Sequence, residues 1–140
     1  MRLLLDTCIL AELRDPRRSH TIEKALAPFR DEDLFLSVIT IGEVVKGISL
    51  LPESRKKQDL ATWLTGLETQ FADRILPIDH DTALMWGELT ARSQAEGVII
   101  PACDGLIAAT ALFHGLHIMT RNVRHFKSTG VFLINPGNED

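Results

Sequence analysis

Three acidic residues, Asp6, Glu43 and Asp104, stand where apolar, strand-like runs give way to helix-like ones. Leu3-Leu4-Leu5 ends at Asp6, Ser37-Val-Ile-Thr40-Ile-Gly42 leads into Glu43, and Pro101-Ala-Cys103 leads into Asp104. In a sheet of parallel strands such turns gather along one edge, where ligands bind. Carboxylates gathered there repel one another unless a cation sits between them. The pattern therefore predicts a metal site. An oxygen-only donor set favours a hard ion, so Mg2+ is expected, and Mn2+ suits the same octahedral site.

The elements that must position these acids can be read from periodicity. Leu3–Leu5, Leu34–Leu36, Arg74–Pro77, His117–Thr120 and Val131–Ile134 read as short strands. Between them, Thr7–Leu13, His20–Phe29, Thr40–Leu51, Glu53–Phe71, Asp79–Glu96 and Asp104–His114 read as helices. Pro52 suits the start of a helix better than its interior. Gly97 and Gly115 are placed to close the two helices before them. In Asp79–Glu96 the expected core face carries Ala83, Trp86, Leu89 and Ala95. Strands separated by helices imply parallel pairing. The expected fold class is α/β, a three-layer α/β/α sandwich around a short-stranded, mainly parallel sheet of five strands.

Composition sets the outer limits. The 140 residues suit a single domain over 1–140, large enough to bury a core. Hydrophobic residues at 45% and charged ones at 24% are ordinary for a soluble globular protein. No apolar run reaches a membrane span, and Asp6 interrupts the greasy start, which argues against a signal peptide. A cytoplasmic location is expected. Cys8 and Cys103 form no CxxC pair and suggest neither a disulfide framework nor a zinc site. A net charge of −4 argues against a uniformly basic nucleic-acid coat.

Each acid also has an ordinary structural role open to it. Asp6 is a good helix N-cap. Thr40 and Glu43 have the spacing of a capping box. Asp104, at a helix start, suits the helix dipole. Capping and metal binding are compatible, because a carboxylate offers about four lone-pair sites. Asp6 should point into the crevice from a central strand, and Gly42 leaves space beside Glu43. Thr120-Arg121-Asn122 brings polar groups to the same edge.

The motifs Leu3-Leu-Leu-Asp6-Thr7-Cys8-Ile9, Ser37-Val-Ile-Thr-Ile-Gly-Glu43-Val-Val-Lys-Gly47, Leu76-Pro-Ile-Asp79, Pro101-Ala-Cys-Asp104-Gly-Leu-Ile-Ala-Ala-Thr110-Ala and Thr120-Arg-Asn122 occur in that order. Together they resemble the PIN-domain ribonucleases, and specifically toxins of the VapC and FitB type. The resemblance runs from about Met1 to Pro136. It places the family's three principal acids, catalytic and metal-binding, on Asp6, Glu43 and Asp104. The fourth acidic position found in several members falls on Asn122, an amide that adds no charge and would hold a second metal less tightly. Thr7 and Thr120 are supporting polar neighbours.

The resemblance implies a Mg2+-dependent endoribonuclease that leaves a 5′-phosphate and a 3′-hydroxyl, with transfer RNA among the candidate targets. Arg14, Lys46, Arg121 and Arg124 are the candidate RNA contacts, with Arg17, Arg18 and Lys127 nearby. Arg55-Lys56-Lys57 reads as a solvated helix face, and His125 as a surface histidine. The resemblance also implies a cognate antitoxin and a homodimer. Trp63 and Leu67 are expected to be exposed contact residues. The alternative is a catalytically weak PIN-like module that binds RNA or a partner. Haloacid-dehalogenase chemistry needs an Asp two residues after the first, where Cys8 stands, and a receiver-like domain needs a later phosphoacceptor Asp that is not evident.

Overall fold

A computed structural model describes residues 1–137. Its centre is β1 (Leu3–Leu5), whose three leucines are fully buried. α1 (Thr7–Arg14) and α2 (Ser19–Leu26) lead to β2 (Leu34–Ser37). α3 (Val38–Ser49) and α4 (Arg55–Gln70) precede β3 (Ile75–Leu76), and α5 (His80–Ala95) and α6 (Ala102–His114) precede β4 (His117–Met119). A short α7 (Val123–Phe126) precedes β5 (Leu133–Ile134). The strands pair in the order β3-β2-β1-β4-β5, all parallel. Among the described residues no helix is long and apolar enough to cross a membrane.

Strand alternation divides the core into two layers. Leu3 and Leu5 enter a cluster with Ile9 and Leu10 of α1, Ile22 of α2, and Leu67 with Phe71 at the end of α4. Leu4 points the other way, into a cluster with Leu89 of α5, Ile107 and Ala108 of α6, and Phe126 of α7. The three-layer sandwich is therefore the observed architecture. Short strands suffice because helices cover both faces.

Several boundaries differ from the sequence reading. α3 begins at Val38 under the Ser37 cap, two residues before Thr40. Pro52 lies outside α4, which starts at Arg55 after its N-cap Ser54. α6 starts at Ala102, so Asp104 falls inside its first turn. On α5 the residues most buried are Thr82, Leu89 and Ser93. Ala83 and Ala95 are exposed, because the neighbour of this helix is α6 and not the sheet. Leu67 is buried and Trp63 half-buried against the core, so neither is the exposed apolar contact expected. Gly97 and Gly115 do take positive φ, at 85° and 68°, as helix closers.

α6 packs tightly on α5 at Gly105, where a Cβ would come within 3.0 Å of Trp86 Nε1 and 3.1 Å of Thr90 Cγ2. Gly105→Val should therefore destabilise the fold by about 1–3 kcal/mol through overpacking, read as a lower urea midpoint with an unchanged slope. Asp79 caps α5, and its carboxyl is held below the usual range by the backbone N–H of Thr82 and then by its hydroxyl. A lowered folded-state pKa adds stability above the unfolded value of about 4, lost as pH falls through the folded value. Asp79→Asn should flatten the acid limb of a stability–pH curve measured from neutral pH downward.

Candidate active site

Register decides what stands beside Asp6. In the β1–β4 pair, Leu5 lies opposite Met119, and the Asp6 N–H donates to the Met119 carbonyl at 3.0 Å. Thr120 is thereby set next to Asp6. Its hydroxyl donates to Asp6 Oδ2 at 2.7 Å and accepts from the Asn122 N–H at 2.9 Å. Asp6 Oδ1 accepts the Thr7 N–H at 2.8 Å, capping α1. The Cys8 thiol is a further donor, 3.5 Å from Oδ2. Asp6 is only 4% exposed, and these donors hold a carboxylate that water does not reach.

Thr7 carries the arrangement onward. Its hydroxyl donates to Glu43 Oε1 at 2.7 Å, with the Thr40 hydroxyl 3.3 Å away. The capping box expected of Thr40 and Glu43 does not form, since both lie inside α3 and Ser37 caps it. Glu43 is therefore free of helix-end duty and is tied to α1 instead. Asp104 completes the group from α6. Its carboxyl is pushed above the usual range, first by burial and then by the Asp6 charge. Thr7 thus links Asp6 to Glu43 on the C-terminal side of β1, and Asp104 lies close enough to Asp6 to feel its charge.

His125 was expected to be an ordinary surface histidine. It is half-exposed, yet its Nδ1 lies 3.2 Å from Asp104 Oδ2. Only the short turn of α7 places it there, so its spacing in sequence carried no signal. Cys8 is likewise more than packing. Its sulfur accepts the Arg121 N–H at 3.4 Å, and burial raises its thiol pKa above the ordinary value. Cys103 is exposed and free. Asn122 uses its backbone N–H on Thr120, and the residue is exposed at the edge.

The cations divide into two groups. Arg121, expected to contact RNA, makes a bidentate pair with Glu12, both bonds 2.9 Å long. It also donates to the Gly137 carbonyl. Glu12 is 3% exposed, and Arg18 lies 3.6 Å from its Oε1, the oxygen that also accepts from Arg121. Arg17 is paired with Asp15 at 3.4 Å. Arg14, Lys46, Arg124 and Lys127 are exposed. Glu12 went unremarked in the sequence, although an acid among Ile9, Leu10 and Leu13 at helical spacing signals a buried charge in need of a partner.

The donor set fits a hard cation. Among the described residues, no three His, Cys, Asp or Glu side chains are gathered closely enough to hold a metal ion by themselves. Mg2+ needs less than that, since it keeps several waters and takes one or two carboxylates. Glu43 and Asp104 each have one oxygen engaged by the protein, Asp6 has both, and all three keep acceptor capacity. Glu43 accepts Thr7 on Oε1, Asp104 meets His125 on Oδ2, and Asp6 Oδ1 carries only the Thr7 N–H. A cation there would also relieve the repulsion that raises Asp104.

With this geometry in place, comparison with known proteins is decisive. A family profile of the PIN domain matches residues 3–131. The chain belongs to the PIN-domain family. Its relatives include Toxin FitB of Neisseria gonorrhoeae, 34% identical over 138 residues and covering 98% of this chain and 99% of that one. VapC ribonuclease Y4jK of Sinorhizobium fredii is 31% identical over 135 residues, covering 96% of each. The crystal structure of FitAcB from Neisseria gonorrhoeae superposes with a TM-score of 0.89 at 35% identity, covering 96% of this chain and 97% of that one. This PIN domain is thus similar along its length to toxins of the VapC and FitB type.

In this PIN domain the Glu12–Arg121 pair ties α1 to the segment after β4, and so braces Asp6 against Thr120. Breaking a buried pair leaves a charge uncompensated. Arg121→Met should cost about 3 kcal/mol in urea unfolding. The double change Glu12→Leu with Arg121→Met should cost clearly less, since no buried charge remains. Equal losses in the single and double variants would show that the pair braces nothing.

Proposed function

We propose that this PIN domain is a metal-dependent endoribonuclease acting as the toxin of a toxin–antitoxin pair. The observation that carries the reading is Asp6 linked through Thr7 to Glu43, with Asp104 close enough to feel the Asp6 charge and acceptor capacity left on all three acids. The names of its relatives, a toxin and a VapC ribonuclease, support the same assignment.

Asp6, Asp104 and Glu43 would hold Mg2+, with Mn2+ as a substitute. When bound, the ion supplies Lewis-acid polarisation of a phosphoryl oxygen and a water of lowered pKa. The protein's own residues do the positioning. Thr120 and the Thr7 N–H lock the Asp6 carboxylate in one orientation, and the Thr7 hydroxyl does the same for Glu43. His125 orients Asp104 and stands exposed at the rim. With Asn122 where other members carry an acid, the site has fewer negative charges to offset. Arg14, Lys46 and Arg124 supply exposed positive charge for RNA phosphates.

A nuclease of this kind must be restrained in its own cell, so a cognate antitoxin is the expected partner. A homodimer is expected as well, and exposed Val38 and Val45 on α3 offer apolar surface for such an association.

The test is cleavage of small RNA, transfer RNA included, by the purified chain with Mg2+, with Mn2+ and with EDTA. Discrete fragments should need the metal and fall by at least about 100-fold in Asp6→Asn, a rate loss equal to about 2.7 kcal/mol. Fragments that persist equally in Asp6→Asn or in EDTA would sink the proposal.

A further inference from the structure

We propose that a basic cleft beside the acids, lined by Arg14, Arg55, Lys56 and Trp63, is the path by which single-stranded RNA enters the site. The inference rests on the ribonuclease reading and assigns part of its substrate grip to residues outside the acid cluster.

Two adjoining hollows make the cleft. One, of ≈ 200 Å3, lies next to Glu43 and Thr7 and is walled by Arg14, Leu60 and Trp63. The other, of ≈ 400 Å3, shares Arg14, Leu60 and Trp63 and continues to Arg55 and Lys56. A single track therefore runs from Glu43 over an apolar and aromatic floor to a cationic outer end. Asp59 is the acid at that end, against three cations.

The charge is unusual in its surroundings. The whole chain carries −4, yet this surface is net positive. Arg17, Arg18 and Arg121 are taken up by Asp15 and Glu12. Lys57 is taken up by Glu53 and by the Leu51 carbonyl. Among the described residues, Arg14, Arg55 and Lys56 form no ion pair within 4.0 Å, not even Arg55 with Asp59 one turn on. Arg55 and Lys56 also occupy the first turn of α4, where cations oppose the helix dipole. They cost stability there without an internal partner, which points to an external anion. The sequence reading of Arg55-Lys56-Lys57 as a solvated helix face holds for Arg55 and Lys56, which are exposed and line the cleft, while Lys57 is pinned.

A polyanion with flat apolar bases matches both features. Phosphates would meet Arg14, Arg55 and Lys56, and a base would lie against Trp63 and Leu60. Stacking of this kind tolerates any sequence, so the cleft would supply affinity and direction and leave base choice elsewhere.

The test uses the full chain carrying Asp104→Asn, so that RNA is bound in Mg2+ without being cut, and a labelled single-stranded RNA oligonucleotide. Arg55→Ala with Lys56→Ala should weaken binding about 10-fold or more at low salt. It should also lower the slope of log affinity against log salt by about 1.4, or about 0.7 for each lost phosphate contact. Lys24→Ala, an exposed cation on α2 outside the cleft, should change neither. Unchanged affinity and slope in the double variant, or an equal change in Lys24→Ala, would overturn the cleft. So would an unlabelled acidic polypeptide that binds as tightly and loses as much, which would reassign the surface to a protein tail. The two proposals fail separately. If the native chain cuts RNA, and Arg55→Ala with Lys56→Ala leaves both its KM and the affinity of the Asp104→Asn chain unchanged, the cleft is wrong and the nuclease stands. If the native chain cuts nothing while the double variant loses RNA binding, the nuclease is wrong and the cleft stands.

Discussion

A charged carboxylate buried at the end of the central strand is the constraint on which this structure turns. Asp6 is reached by almost no water, so its charge has to be met by protein donors. Those donors come from two directions: the Thr7 N–H at the start of α1, and the Thr120 hydroxyl at the end of β4. Both depend on the pairing of β1 with β4. A slip of one residue in that register would turn Thr120 to the other face and leave Asp6 unanswered. The hydrogen bonds at Asp6 therefore fix the order of the chain at the sheet edge, and the edge then fixes everything that reaches it.

Around that point the molecule sorts its charges by use. Glu12 and Arg121 satisfy each other at the base of α1, and Arg18 adds a second cation to the same acid. That pair is architectural. Glu43 and Asp104 are treated differently: each receives one donor, from Thr7 or from His125, and stays partly accessible. Burial first, and then the charge of Asp6, raise the Asp104 carboxyl above its usual range, and a cation beside both acids would offset that second cause.

Much of this was legible beforehand. Alternation of apolar runs with helical patterns predicted the layered parallel sheet, and all five strands lie within or within one residue of their expected spans. The acids Asp6, Glu43 and Asp104 were recognisable because each follows a strand-like run or opens a helix. Helix starts were less legible. Pro52 and Thr40 looked like start signals, but Ser54 and Ser37, whose hydroxyls accept backbone N–H groups, are where the helices begin. The inward face of α5 was misjudged at Ala83 and Ala95 because periodicity reports that a face exists, not which neighbour covers it. Trp63 and Leu67 were taken for surface when the end of α4 in fact folds onto the core.

What the sequence determined by itself is what depends on local spacing: the order of elements, the turns that carry the acids, and the glycines that end helices. Only the tertiary structure decided partnership. Arg121 and Glu12 are separated by 109 residues, and Thr120 and Asp6 by 114. Nothing in local pattern says that the first cation is spent on architecture and that the second hydroxyl serves a carboxylate. Likewise, whether Arg55 and Lys56 are idle or face a cleft depends on Arg14 and Trp63 arriving from elsewhere in the fold. Hydrogen bonds and ion pairs act over a few ångströms, so their choice of partner is settled only when the chain has packed.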